Sequence, residues 1–149
     1  MRKRSKYRPR PVLVNPVAYA IESVRPVAAQ EQFLIDLKIK NHGAMAALAQ
    51  GRATRDNMVT LSDMLDISAA LSELGFGNSY HDVLSNGGSA LREVIARAES
   101  VGKYILRGPE LASINLLMEL HDAQMEVITV RELERAIALA TKRKKRVAA

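Results

Sequence analysis

Three histidines, sixteen carboxylates and no cysteine define the chemistry open to this 149-residue chain. The absence of thiols excludes a disulfide framework, a thiolate zinc site and every cysteine-nucleophile mechanism. His42, the adjacent pair His81-Asp82, and Asp122 form a separated His, His-Asp, Asp set. These are residue types that hold an oxygen-coordinating cation for metal-dependent hydrolysis. With sixteen acids at unconstrained spacing such a set arises readily by chance, and the plainer expectation is that the histidines cap helices or lie on their surfaces. Glu119, Asp122 and Glu126 share a helix face at i, i+3 and i+7, but a di-metal bundle needs Glu-x-x-His pairs, and three residues after Glu119 stands Asp122. That face reads as solvated acid. No enzymatic activity, metal or cofactor is expected.

Nucleic-acid chemistry has two candidates. The stretch from Leu61 to Ser72 has the apolar rhythm of a helix-turn-helix, yet no Lys or Arg lies between Arg55 and Arg92. Its second helix would bring Glu73 and small residues to a phosphate-lined groove, so an ordinary core helix is expected. The two ends are different. Arg2, Lys3, Arg4, Lys6, Arg8 and Arg10 at the front, with Lys142, Arg143, Lys144, Lys145 and Arg146 at the back, hold eleven of the 22 basic residues and no acid. Residues 11–141 carry eleven basic against sixteen acidic side chains, net −5, inside a chain of net +6. Blocks of like charge repel themselves and stay solvated, which predicts two arms that are disordered until a polyanion or an acidic protein face holds them. In the front arm, Tyr7 stands among the basic residues and Pro9 and Pro11 favour an extended chain that suits a minor groove. Lys38, Lys40 and Arg52 are available to extend the patch. Six aromatics without a basic-interleaved cluster argue against a base-stacking platform.

The elements that must position these groups are helical. Asn15-Pro16 starts a short helix to about Val24. Phe33, Leu34, Leu37, Met45 and Leu48 give a long one from about Gln30 to Gln50, weakened near Asn41 and Gly43 and stopped at Gly51. Thr54 caps a helix striped by Met58, Leu61, Met64, Leu65, Leu71 and Leu74, which ends at Gly75-Phe76-Gly77. A further helix begins after Asn78 or Ser79, with Tyr80, Val83, Leu84, Leu91, Val94, Ile95 and Val101 inward; Gly87 and Gly88 mark a kink or a close backbone crossing. Gly108-Pro109 opens the last segment, carried by Leu111, Ile114, Leu117, Met118, Met125 and Ile128. Thr129 with Glu132 fits a capping box, leaving open whether the chain breaks there or continues to about Thr141. These lengths predict an all-α fold, an antiparallel bundle of four to five helices over residues 13–141, flanked by a basic extended arm over 1–12 and a basic tail over 142–149. The chain is long enough to bury roughly 70% of its unfolded surface without staples. No apolar run reaches the 18 or so residues of a membrane span, and no signal-peptide core follows the charged start, so a cytoplasmic protein is expected.

Lys6-Tyr7-Arg8-Pro9-Arg10-Pro11-Val12, Asn15-Pro16, Lys38-Ile39-Lys40-Asn41-His42 and Glu119-Leu120-His121-Asp122-Ala123-Gln124 together resemble a group of small uncharacterised proteins encoded by phages and prophages of proteobacteria, over most of the chain. The resemblance implies a setting, that of a small phage product acting on DNA, on transcription or on a host protein, and no activity, ligand or catalytic residue. Two functions follow as expectations. The first is a non-enzymatic accessory or regulatory protein whose arms grip nucleic acid, DNA in preference to RNA. If about six of the eleven terminal charges meet phosphates, affinity falls roughly 40-fold per doubling of salt. The second is a module that inhibits or adapts a host protein through its helical body, for which six Met residues supply adaptable surface. Self-association is compatible with either.

Overall fold

Local chemistry sets most helix boundaries in the computed structural model, which describes residues 16–148. Among these residues the chain forms six α-helices: α1 (Pro16–Ser23), α2 (Glu31–Ala49), α3 (Arg55–Glu73), α4 (His81–Val101), α5 (Gly108–Val127) and α6 (Val130–Ala148). The all-α expectation holds, with six helices in place of four to five. The expected front arm, with Arg2, Lys3, Arg4, Lys6, Tyr7, Arg8 and Arg10, lies outside the described residues.

Thr54 caps α3 as its residue type requires: its hydroxyl accepts from the Asn57 amide at 3.4 Å, and the Asn57 side chain accepts from the Thr54 amide at 2.8 Å. Gly51, Gly75 and Gly77 take the left-handed backbone that ends α2 and turns the chain after α3. The open question at Thr129 resolves as a break. The Thr129 amide donates to Glu132 at 2.6 Å, and the Glu132 amide donates to the Thr129 hydroxyl at 3.3 Å. Ile128 is extended there, and the chain around Pro26 crosses it: Val27 N–H meets the Ile128 carbonyl at 2.9 Å, and Val130 N–H meets the Arg25 carbonyl at 3.0 Å.

Helix α3 packs against α2, α4, α5 and α6. Leu61, Leu71, Leu91, Ile114, Leu117 and Met125 are fully buried between these elements. Contacts at Gly87–Leu117 and Arg97–Glu110 run in opposite directions along α4 and α5, so the two are antiparallel. Gly87 makes the close crossing its sequence position suggested, since a β-carbon there would lie 3.0 Å from the Leu117 side chain. Arg97 sets the far end of this pair: it is ion-paired with Glu110 and donates to the Ile105 carbonyl at 2.6 Å. Three inward assignments fail: Tyr80 and Val101 stand at the ends of α4 and are 54% and 53% exposed, and Ile95, beside the buried Val94, is 36% exposed. The Leu61–Ser72 stretch is continuous helix inside α3 and contains no turn, so it is not a helix-turn-helix.

The expected basic tail over 142–149 is the main correction. Residues 142–148 are the last two turns of α6. Cations at a helix C-terminus meet the negative end of its dipole, and α3 supplies acids on the facing side, so the run is helical while most of its side chains stay in solvent.

Candidate functional site

Helix α6 sorts the five basic residues of its end into two groups. Its buried residues are Leu133, Ala136 and Ala140. At about 100° per residue, Arg143 and Lys144 fall on the flanks of that buried face, whereas Lys142, Lys145 and Arg146 fall on the opposite side. Arg143 is ion-paired with Glu73, and Lys144 with Asp63 and, at 3.3 Å, with Asp66. The hydrogen bond from Arg143 holds the Glu73 carboxyl below its ordinary range, and the bond to Asp63, with that to Asp66, holds Lys144 above its own. Lys142, Lys145 and Arg146 are exposed and have no ion-pair partner among the described residues. Arg135, about two turns before Lys142, joins them: Arg135, Lys142 and Arg146 lie within about 40° of one another around the axis, with Lys145 beside them. The result is a cationic stripe about 16 Å long on the outer side of α6. Composition points to the cluster at the end; Arg135 is the part that helical spacing adds.

The hydrolase set does not assemble. His42 on α2 donates to Asp122 on α5 at 2.8 Å, and Lys38 lies 3.6 Å from Glu126 one turn away, so two pairs fasten α2 to α5. His81 and Asp82 open α4, both exposed. Among the described residues no three His, Asp or Glu side chains are grouped so as to hold a metal ion. The Glu119, Asp122, Glu126 face is thus partly a helix-fastening surface, with Glu119 exposed. Lys38 belongs to that fastening, which removes it from a shared patch with the end of α6.

A buried polar group, not among the expected site residues, joins α3 to α5. His121 is 1% exposed, and its Nδ1 lies 2.9 Å from the Ser68 hydroxyl on α3. Gln124, one turn on, donates to the Ser68 carbonyl at 3.1 Å and the Phe76 carbonyl at 2.8 Å, closing the turn after α3 onto α5. Burial holds the His121 imidazole down at about 4, against an opposing push from the Asp122 carboxylate, so the ring is neutral near pH 7.

No protein-family model, no curated protein and no solved structure matches the chain. No helix among the described residues is long and apolar enough to cross a membrane.

Proposed function

We propose that this is a non-enzymatic accessory or regulatory protein, of the phage type its sequence resembles, that holds the phosphate backbone of nucleic acid, DNA in preference to RNA. The observation that carries the reading is the outer stripe of α6, where Arg135, Lys142, Lys145 and Arg146 face solvent opposite the helix's packed side. A preformed helix presents these cations with little ordering left to do on binding, and phosphate contacts position a protein without specifying a sequence. The basic residues between Arg2 and Arg10 are the second phosphate-contacting element of this reading. A cytoplasmic setting fits this role.

Four phosphate contacts from α6 give a salt slope near −3.6, or roughly a 12-fold loss of affinity per doubling of salt. Fluorescence anisotropy with labelled duplex DNA, single-stranded DNA and RNA tests this on the full chain. Truncation at residue 141 is the wrong probe, since it removes two turns of α6. Replacing Lys142, Lys145 and Arg146 together by Ala is expected to reduce the slope by about 2.7, while Arg143→Ala with Lys144→Ala reduces it far less. Unchanged affinity and slope in the triple variant, or no binding by the intact protein, refutes the reading.

The alternative, a module that binds a host protein through its helical body, draws on α1. Val17, Ile21 and Val24 are 68%, 57% and 56% exposed on and just after a short helix held to α6 by Tyr19 to Glu134 at 2.8 Å and Arg131 to Ser23 at 3.0 Å. Loss of function on replacing Val17 and Ile21 by Ser, with DNA binding intact, would favour it.

A further inference from the structure

The register of α1 against α6 shows where the basic front of the chain enters the fold. Val27 N–H donates to the Ile128 carbonyl at 2.9 Å, and Val130 N–H donates to the Arg25 carbonyl at 3.0 Å. Further out, Arg131 donates to the Ser23 hydroxyl at 3.0 Å, and the Tyr19 hydroxyl donates to Glu134 at 2.8 Å. Through these four contacts each step back along the first segment is a step forward along the second, so α1 runs antiparallel to α6. Continued by three residues, the register brings Pro16 level with about residue 137 of α6. Lys142, Lys145 and Arg146 stand roughly 8 to 14 Å beyond that level, on the side toward which the N-terminal end of α1 points.

Helix α1 also lies on the face of α6 that carries the stripe. At about 100° per residue, Arg131 falls within about 20° of Lys142, and Glu134 within about 20° of Lys145, so both of these contacts are on the outer side. No Asp or Glu follows Glu134 in the chain, and residues 1–15 contain none. Arg10 is six residues from Pro16 and Arg2 fourteen. Chains of those lengths span at most about 20 Å and about 50 Å. The six cations of the front segment are thus tethered beside the four of α6, with no carboxylate of either segment between them. Charges within a Debye length of about 8 to 10 Å repel one another in the free protein, and a polyanion that both sets touch removes that repulsion.

We infer that the front segment and the α6 stripe close on one duplex as a single clamp and are not two separate anchors. The inference rests on the nucleic-acid reading and adds that the two elements share one ligand molecule. Tethering makes the second contact intramolecular, so the pair binds about 100-fold or more tightly than either element alone, with no contact beyond those each already makes.

The test uses the full chain and a labelled duplex of about 12 base pairs, roughly 41 Å long and so longer than the stripe. Native mass spectrometry with duplex in excess counts duplexes per chain, and anisotropy at one salt concentration gives affinity. Three proteins are compared: the intact chain, a front variant with Arg2, Lys3, Arg4, Lys6, Arg8 and Arg10 replaced by Ala, and the Lys142, Lys145, Arg146 triple variant. The clamp takes up one duplex per chain, and the intact protein binds about 100-fold more tightly than either variant. Separate anchors take up two duplexes per chain, and the intact protein exceeds the better variant by no more than about twofold. Two duplexes per chain, or an advantage below about tenfold over the better variant, overturns the inference while leaving the nucleic-acid reading in place. Absence of duplex binding by the intact protein refutes both. Where the triple variant fails to fold, Lys142→Gln with Arg146→Gln takes its place.

Discussion

Acid should weaken this fold through His121 before it protonates the carboxylates. In the unfolded chain the imidazole takes a proton below about pH 6.5. In the folded protein burial defers that step to about 4. Between these values the unfolded state binds the extra proton, so stability is fully present above about 6.5 and is lost as pH falls toward 4. The interval corresponds to about 3 kcal/mol at 1.36 kcal/mol per pH unit. The charges nearest the ring are Asp122 beside it and His42 across on α2, which push in opposite directions and leave burial dominant. Urea unfolding at pH 7.5, 6.5, 5.5 and 4.5 measures the loss, with His121→Gln as a reference that keeps an amide where the imidazole was and does not titrate. Carboxylates held low, such as Glu73 by Arg143 and Glu110 by Arg97, lose their contribution further down and do so equally in both proteins. The intact protein should lose about 2 to 3 kcal/mol more than the variant between pH 7.5 and 4.5. Parallel curves, or an imidazole signal of His121 that titrates near 6.5 in the folded protein, refute the reasoning.

Three further tests address packing and capping. Gly43 lies exposed inside α2, and a β-carbon placed there would meet nothing within 4 Å, so Gly43→Ala should stabilise the protein by about 0.5 to 1 kcal/mol in thermal unfolding. Gly87→Ala should do the reverse, by about 1 to 3 kcal/mol, because the added methyl meets the fully buried Leu117 at 3.0 Å on a rigid helix crossing. Glu110→Ala removes the acceptor of the Arg107 amide at 2.9 Å at the start of α5, a loss of about 1 kcal/mol from the cap alone. It also leaves Arg97 without its carboxylate, and hydrogen exchange of residues 102–107 should rise as the α4–α5 connection loosens.

Helix starts and stops were legible because they depend on neighbours in sequence. Thr54 with Asn57, Thr129 with Glu132, Gly108-Pro109 and the glycines after α2 and α3 act through their own backbone amides and dihedral preferences. What required the third dimension was pairing across elements. His42 meets Asp122 eighty residues away, and no spacing rule distinguishes that contact from a metal-ligand set. The buried polar residues did leave a trace: Asn41 stands between Leu37 and Met45, and His121 between Leu117 and Met125, each at i±4 on an apolar stripe. A polar residue at the centre of a core-facing register is the signal that the composition of charged ends overshadowed.

The end of α6 shows why a linear count of charge misleads. Lys142-Arg143-Lys144-Lys145-Arg146 reads as five equivalent cations, and five like charges in a row ordinarily oppose folding. On a helix the same run turns through about 400°, so it cannot present one face. Arg143 and Lys144 come round to α3, whose Asp63, Asp66 and Glu73 have no basic residue of their own helix beyond Arg55 to answer them. That pairing anchors the last two turns, and each such exposed pair contributes little alone. Its larger effect is on geometry. Lys142, Lys145 and Arg146 are fixed in line with Arg135 on a rigid surface, where their spacing is set by the helix and not by a fluctuating chain. The acids of α3 therefore serve the outer stripe indirectly: neutralising them at Asp63, Asp66 and Glu73 would release the inner cations and let the last two turns of α6 fray, while the outer cations, and with them most of the salt slope, remain.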